Sequence, residues 1–164
     1  MIPTSIIIHH TATNRNRTTF ESINNGHKRR WNWKSSLGYY IGYQYFIIAD
    51  GTAIQGRADN EAGAHTKGWN DKSIGICLTG NFMFERMTDV QLFFLEDLLN
   101  RLKKKWNISN KNIFGHREKG ITLCPGNKLM GWIKEYRKKP ETDTIEHDPE
   151  MVRTCRHEDN GDLC

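Results

Sequence analysis

The chain has 164 residues, of which 37% are hydrophobic, and this fits one folded domain with its own core. The mean hydropathy of -0.71 and the lack of a long apolar run argue against an integral membrane segment. The net charge of +5 is uneven, because residues 141–164 carry -6 and the remainder +11. A basic body is typical of proteins with polyanionic partners such as nucleic acid, anionic lipid or a cell-wall polymer, and equally of a surface that is charged for solubility.

The beginning of the chain lacks the pattern of a secretory signal peptide. Residues 2–8 form a short apolar run without a basic segment before it, and the run leads directly into His9. We therefore expect synthesis in the cytoplasm, where cysteines stay reduced. The chain has four cysteines, and no two of them form a CxxC pair: Cys77, Cys124, Cys155 and Cys164.

Apolar runs and turn signals predict the first half of the fold. The isoleucine-rich run Ser5–His9 is typical of a buried strand inside a sheet. The segment Thr18–Glu21 resembles a capping box and predicts the start of a helix. Asp50-Gly51 between two apolar runs predicts a hairpin with strands at 43–49 and 52–56.

The second half continues the alternation of strands and helices. Residues 73–79 predict another buried strand, and Thr88 with Gln91 predicts the capped start of a long helix. Residues 108–114 predict a last strand, and a closing helix contains Trp132 and Tyr136. The expected fold is an α/β or α+β layered single domain over residues 1–140, followed by a mobile or loosely docked acidic tail over 141–164.

The segment from Phe114 to Gly126 contains a candidate metal site. His116 and Cys124 lie eight positions apart, and imidazole and thiolate are ligands that zinc prefers. A third ligand would come from His9 or His10 at the end of the first strand, and only one of the two can face the metal. Three protein ligands with an open position are typical of catalytic zinc.

Each of these residues also has a simpler interpretation. A histidine after a strand is more often hydrogen bonded than metal bound, and Tyr43 and His65 taken alone suggest a half-buried aromatic ring and a loop residue. Nucleophilic catalysis by Cys124 with His116 is an alternative, but no orienting group for it is evident. The conjunction of ligands therefore favours a metal.

Short motifs over about residues 5–136 resemble the zinc-dependent N-acetylmuramoyl-L-alanine amidases, which include short phage lysozymes and animal peptidoglycan recognition proteins. The resemblance implies a central mixed β-sheet flanked by helices. The matching motifs, in chain order, are Ile6 to Ala12, Gly42-Tyr43, Asp50-Gly51, Gly63 to His65, Gly68 to Asn70, Ser73 to Ile76, Gly80 to Phe82, Gly115 to Glu118 and Cys124 to Gly126.

The resemblance implies a role for several single residues. The zinc ligands would be His9, His116 and Cys124, with His9 preferred over His10 because it directly follows the apolar strand. Tyr43 matches the catalytic tyrosine of the family.

Further positions match the catalytic and substrate-binding parts of the family. Thr122 falls where the phage lysozymes carry a catalytic lysine and many recognition-protein amidases carry threonine. His65, Trp69 and Asn70 match a segment that lines the substrate groove.

The implied activity is hydrolysis of the amide between N-acetylmuramic acid and L-alanine in bacterial peptidoglycan by a zinc-activated water. Zinc, Tyr43 and Thr122 would stabilise the oxyanion, and Tyr43 or His65 would deliver the proton to the leaving amine. The expected protein is a monomeric, bacteriolytic and antimicrobial phage endolysin with no nucleic-acid partner. A phage holin would release it from the cytoplasm to the cell wall.

Three alternative functions are compatible with the same resemblance. They are a non-catalytic peptidoglycan-binding protein, a regulator of a polymerase, and a cytoplasmic amidase that recycles wall fragments. The presence of Cys124 favours an enzyme, because family members that only bind peptidoglycan lack this ligand. In the acidic tail, the residues His147, Cys155 and His157 are taken as incidental rather than as a second metal site.

Overall fold

The computed structural model describes residues 1–141, which form five strands, three α-helices and two short 3-10 helices. The predicted tail, with His147, Cys155, His157 and Cys164, lies outside the described residues except for Glu141. In chain order the elements are β1 (Ser5–His10), α1 (Phe20–Trp31), β2 (Tyr45–Ile47), β3 (Ala53–Gln55), β4 (Ser73–Leu78), α2 (Asp89–Trp106), a 3-10 helix (Asn110–Asn112), β5 (Ile113–Gly115), a second 3-10 helix (His116–Glu118) and α3 (Asn127–Tyr136).

The strands form one mixed sheet in the order β3-β2-β4-β1-β5. Strand β1 is parallel to both β4 and β5, β2 is parallel to β4, and β3 is antiparallel to β2. All six residues of β1 are buried, as expected for an isoleucine-rich strand inside a sheet. The prediction of a single α/β domain with a central mixed sheet is therefore confirmed.

The two faces of the sheet pack against different elements. Ile6 and Ile8 of β1 contribute to the larger cluster, which also contains buried leucines of α2 and residues of α3. A smaller hydrophobic cluster contains Phe20, the first residue of α1, and Cys77 of β4. Tyr43 packs against this cluster. Because side chains alternate along a strand, His9 points to the face opposite Ile8.

Both helices that were predicted from capping boxes are present. Helix α2 is capped by Thr88 with Gln91 as its partner, as expected. Helix α1 is capped one residue later than expected, because the Thr19 hydroxyl accepts from the backbone N–H of Ser22. The helix also continues through residues 24–26, although asparagine and glycine are weak helix formers.

Four predicted strands are shorter than expected, most clearly the first hairpin strand and the last strand. The first hairpin strand begins at Tyr45 rather than at residue 43, because the Gln44 side chain replaces part of the backbone ladder: its Oε1 accepts from the N–H of Gly75 at 2.7 Å. The last strand covers only residues 113–115, since residues 110–112 form a 3-10 turn. Among the described residues, no helix combines the length and the apolar character that crossing a bilayer requires.

Candidate metal centre

Three potential metal ligands converge at the carboxyl end of the parallel strands. His9 lies near the end of β1, His116 directly follows β5, and Cys124 lies in the loop before α3. One ligand atom from each lies within 4.8 Å of the other two, and no other such cluster occurs in residues 1–141. Since β1 and β5 are parallel neighbours, their carboxyl ends necessarily meet at the same edge of the sheet.

The loop that carries Cys124 is shaped by close packing. Gly126, which precedes α3, has φ +87°, a conformation that side chains rarely adopt. A Cβ atom at this position would lie 2.4 Å from the backbone carbon of Phe82. This close approach places the end of the loop against the segment that follows β4.

The two adjacent histidines of β1 have different environments. The His9 ring is 1% exposed and lies 4.5 Å from the His116 ring, measured between centroids. The His10 side chain lies on the other face, where its Nδ1 accepts from the backbone N–H of Phe82 at 3.2 Å. The backbone N–H of His10 nevertheless contributes to the centre, because it donates to Cys124 Sγ at 3.3 Å.

Burial sets the protonation of the three ligands. Burial and the neighbouring residues His65, His116 and His10 hold the pKa of His9 well below 6.5, and burial also lowers the pKa of His116. Both rings are therefore neutral at pH 7 and have a lone pair for a metal. Burial raises the pKa of Cys124 to about 12, against the lowering effects of the His10 backbone and Arg117. A metal must therefore displace the thiol proton.

Tyr43 lies next to the ligands, in the loop that precedes β2. Its ring centroid is 5.0 Å from that of His9. Burial, the thiols of Cys77 and Cys124, and a hydrogen bond with Cys77 raise its pKa well above 10.0. The hydroxyl therefore stays protonated at neutral pH and is able to donate a hydrogen bond.

Thr122 lies in the same loop as Cys124 and is partly buried. Its Oγ1 accepts from the backbone N–H of Cys124 at 3.2 Å, and this hydrogen bond orients the Thr122 side chain. The hydroxyl hydrogen remains available for a donor role. Its neighbours Ile121 and Leu123 are exposed apolar side chains beside the centre.

The three residues predicted to line a substrate groove have separate environments. His65 contacts His9 directly, with 3.1 Å between His65 Nδ1 and His9 Nε2. Asn70 orders the loop, because its Oδ1 accepts from the backbone N–H groups of His65 and Thr66 at 2.8 Å each. Trp69 stacks with the ammonium group of Lys119, which lies 4.2 Å from its ring centroid.

Sequence reasoning missed several groups that contact the centre. Cys77 pairs with His9 in the sheet and raises the pKa of Tyr43, but its place beside these residues depends on the β1–β4 register. Thr66 lies 3.4 Å from His9 Nε2 through its Oγ1. No local pattern marks either residue, because both contacts join segments that are distant in sequence.

Comparisons with known proteins identify the family of the chain. The sequence profile of the N-acetylmuramoyl-L-alanine amidase family matches residues 1–127. Peptidoglycan-recognition protein SC2 of Drosophila melanogaster is 36% identical over 132 residues, 79% of this chain and 72% of that protein. The endolysin of Enterobacteria phage K11 is 30% identical over 108 residues, which cover 62% of this chain and 70% of that one.

Solved structures share the fold. The N-acetylmuramoyl-L-alanine amidase LysC of Clostridium intestinale URNW superposes with a TM-score of 0.72 at 34% identity, covering 82% of this chain and 85% of that chain. Drosophila PGRP-LB superposes with a TM-score of 0.72 at 28% identity, covering 88% of each chain. With the profile match over most of its length, the chain belongs to the N-acetylmuramoyl-L-alanine amidase family.

Proposed function

We propose that this protein hydrolyses the amide bond between N-acetylmuramic acid and L-alanine in bacterial peptidoglycan, with zinc held by His9, His116 and Cys124. The observation that carries the proposal is the convergence of these ligands beside a protonated tyrosine hydroxyl. His116 and Cys124 are partly exposed, so the cluster is accessible from the surface for a substrate.

The donor set fits zinc in chemistry and spacing. Zinc binds histidine nitrogen and cysteine sulfur, and a tetrahedral site places such atoms roughly 3.3–3.6 Å apart. His9 Nδ1 and Cys124 Sγ are 3.8 Å apart, and all three ligand atoms lie within 4.8 Å of one another. A contraction of at most roughly 1.5 Å would therefore bring the ligands to the spacing of a tetrahedral site. The N–H of His10 would stabilise the thiolate charge of Cys124, because it already points at the sulfur.

When bound, zinc would activate a water molecule as the nucleophile and polarise the amide carbonyl. Tyr43 would donate its hydroxyl hydrogen to the carbonyl oxygen as negative charge develops there. Thr122 would supply a second donor from the loop that carries Cys124, since its hydroxyl hydrogen is not used by the bond from Cys124. His65 is less suited to deliver the proton, because its Nδ1 is 3.1 Å from His9 and its Nε2 is buried.

We further propose that the chain acts as a phage endolysin that degrades the cell wall after release by a holin. The relative from phage K11, named an endolysin, supports this setting. The peptidoglycan-recognition relatives support the same substrate but also a binding role. Cys124 supports catalysis, since it completes the three-ligand set.

Mass analysis of digested peptidoglycan tests the proposal directly. Purified cell wall is incubated with zinc-loaded protein, with chelated protein and with Cys124→Ser. Only the zinc-loaded wild type is expected to release stem peptides with a free L-alanine amine from intact glycan. Cleavage between sugars, full activity after chelation, or wall binding without any product would contradict the proposal.

A further inference from the structure

The two ring nitrogens of His9 face different groups. Its Nδ1 lies 3.8 Å from Cys124 Sγ and therefore points to the other ligands. Its Nε2 lies nearest to His65 Nδ1, at 3.1 Å, and 3.4 Å from the Thr66 hydroxyl. The geometry thus assigns Nδ1 to a metal and Nε2 to His65.

This assignment determines where the protons of both rings lie. A nitrogen that binds a metal carries no hydrogen, so the single proton of neutral His9 must be on Nε2. It then donates to His65 Nδ1, which must be unprotonated, and the proton of His65 lies on its Nε2.

Neighbouring side chains and two glycines fix the position of the His65 ring. The Thr66 hydroxyl lies 3.1 Å from the same Nδ1, and Asn70 holds the backbone of both residues. Two glycines make room for the ring: a Cβ would lie 2.4 Å from His65 Cδ2 at Gly63 and 2.6 Å from it at Gly75. Gly75 is in the middle of β4, where a side chain would otherwise fill this space.

We infer that His65 is a positioning residue that fixes the tautomer and orientation of His9 for metal binding. Metal-binding histidines usually donate their second N–H to a carboxylate, carbonyl or water. Here the acceptor is a neutral imidazole, which orients the ligand without adding negative charge. With a divalent metal bound, Cys124 would then be the one anionic ligand, and the remaining positive charge would favour polarisation of a carbonyl.

The inference rests on the proposed zinc site and is tested on metal affinity rather than on activity. Metal-free wild type, His65→Leu and His65→Asn are titrated with zinc against a competing chelator. Leucine removes the acceptor and should weaken zinc binding about 10–100-fold. Asparagine places an oxygen near the position of Nδ1 and should recover most of that loss.

A second pair of variants tests the same contact by changing a glycine that makes room for the His65 ring. Gly75→Ala should displace the His65 ring and weaken zinc binding, whereas Gly131→Ala, whose Cβ would have no atom within 4 Å, should bind zinc like the wild type. The absorption spectrum of the cobalt(II) form reports the ligand geometry and should change in His65→Leu but not in Gly131→Ala. Thermal unfolding of the metal-free proteins verifies that each variant is folded.

The outcomes separate this inference from the proposed function. Equal zinc affinities of wild type and His65→Leu, with the same cobalt spectrum, would overturn the role of His65 and leave the zinc site intact. A wild type that does not bind zinc would overturn both. Weak binding in His65→Leu and Gly75→Ala, recovered in His65→Asn, would support the inference.

Discussion

Residues His9 and His10 show which part of the site depends on local rules and which on packing. Alternation along a strand already requires that only one of them faces the metal. The choice of His9 follows from its position opposite Cys77, on the face where Tyr43 packs. The contact between His9 and His65 joins residues 56 positions apart, so it could not be predicted before the loop was placed against β4.

Replacing Tyr43 by phenylalanine tests a role in chemistry. The variant keeps the ring that packs beside His9 but removes the protonated hydroxyl. We expect kcat on peptidoglycan to fall about 10²–10³-fold, the loss typical of one oxyanion donor. The measurement is amide hydrolysis at saturating substrate, with zinc content determined in parallel.

Tyr45→Phe is the matched control for this prediction. The Tyr45 hydroxyl donates to Asp59 at 2.6 Å, so its loss should lower stability without changing kcat. Full activity of Tyr43→Phe with zinc bound would exclude the hydroxyl from the reaction. A loss of zinc in Tyr43→Phe would instead indicate a structural role.

At the scale of elements, local signals predicted where most helices and strands occur. The capping box at Thr88 and the Asp50-Gly51 turn act within a few residues, and both features are present. The last strand begins at residue 113 rather than at residue 108, because the backbone N–H of Asn110 donates to Glu141 and the Asn110 side chain donates to the carbonyl of Lys139. These partners lie about thirty positions away, beyond the reach of a local pattern.

Asp59 connects the hairpin to the end of α2 and predicts a pH-dependent stability. Its carboxylate accepts from Tyr45, Lys105 and Trp106, at 2.6, 2.7 and 3.1 Å. Burial raises the pKa of Asp59, but the hydrogen bonds outweigh it and hold the pKa below 3.8. Because the folded pKa is depressed, this stabilisation is complete above the ordinary value and is lost as the pH falls through the folded value.

We therefore expect Asp59→Asn to lower the free energy of unfolding by about 1–3 kcal/mol at neutral pH. The difference from the wild type should shrink as the pH falls below 3.8, the ordinary value of the carboxyl. Urea unfolding at a series of pH values measures both quantities. A difference that stays constant down to the acid limit would show that the charge of Asp59 is not the source of the stabilisation.

The charge of the whole molecule predicts how it approaches its substrate. Residues 1–140 carry a net charge of +11, and a cell wall that contains anionic polymers would attract them. Salt screens such attraction, with a Debye length of about 10 Å at 0.1 M and about 3 Å at 1 M. We expect kcat/KM on whole cell walls to fall as the salt concentration rises over this range.

A short uncharged muramoyl-peptide substrate provides the control for the salt experiment. Its hydrolysis should change little with salt, because it offers no extended charge to the basic surface. Flat salt dependence on whole walls, or an equal decrease on both substrates, would remove long-range attraction as the explanation.

The position of the ligands in the sheet has a consequence for how a metal would leave. His9 lies on β1, which is paired on both sides, whereas His116 and Cys124 follow β5, an edge strand paired over three residues. Local opening of this edge would separate two ligands from the third without unfolding the inner strands of the sheet. Metal exchange would then be controlled by this opening, and a bound metal would protect the amide hydrogens of residues 113–126 more than those of the β1–β4 pair.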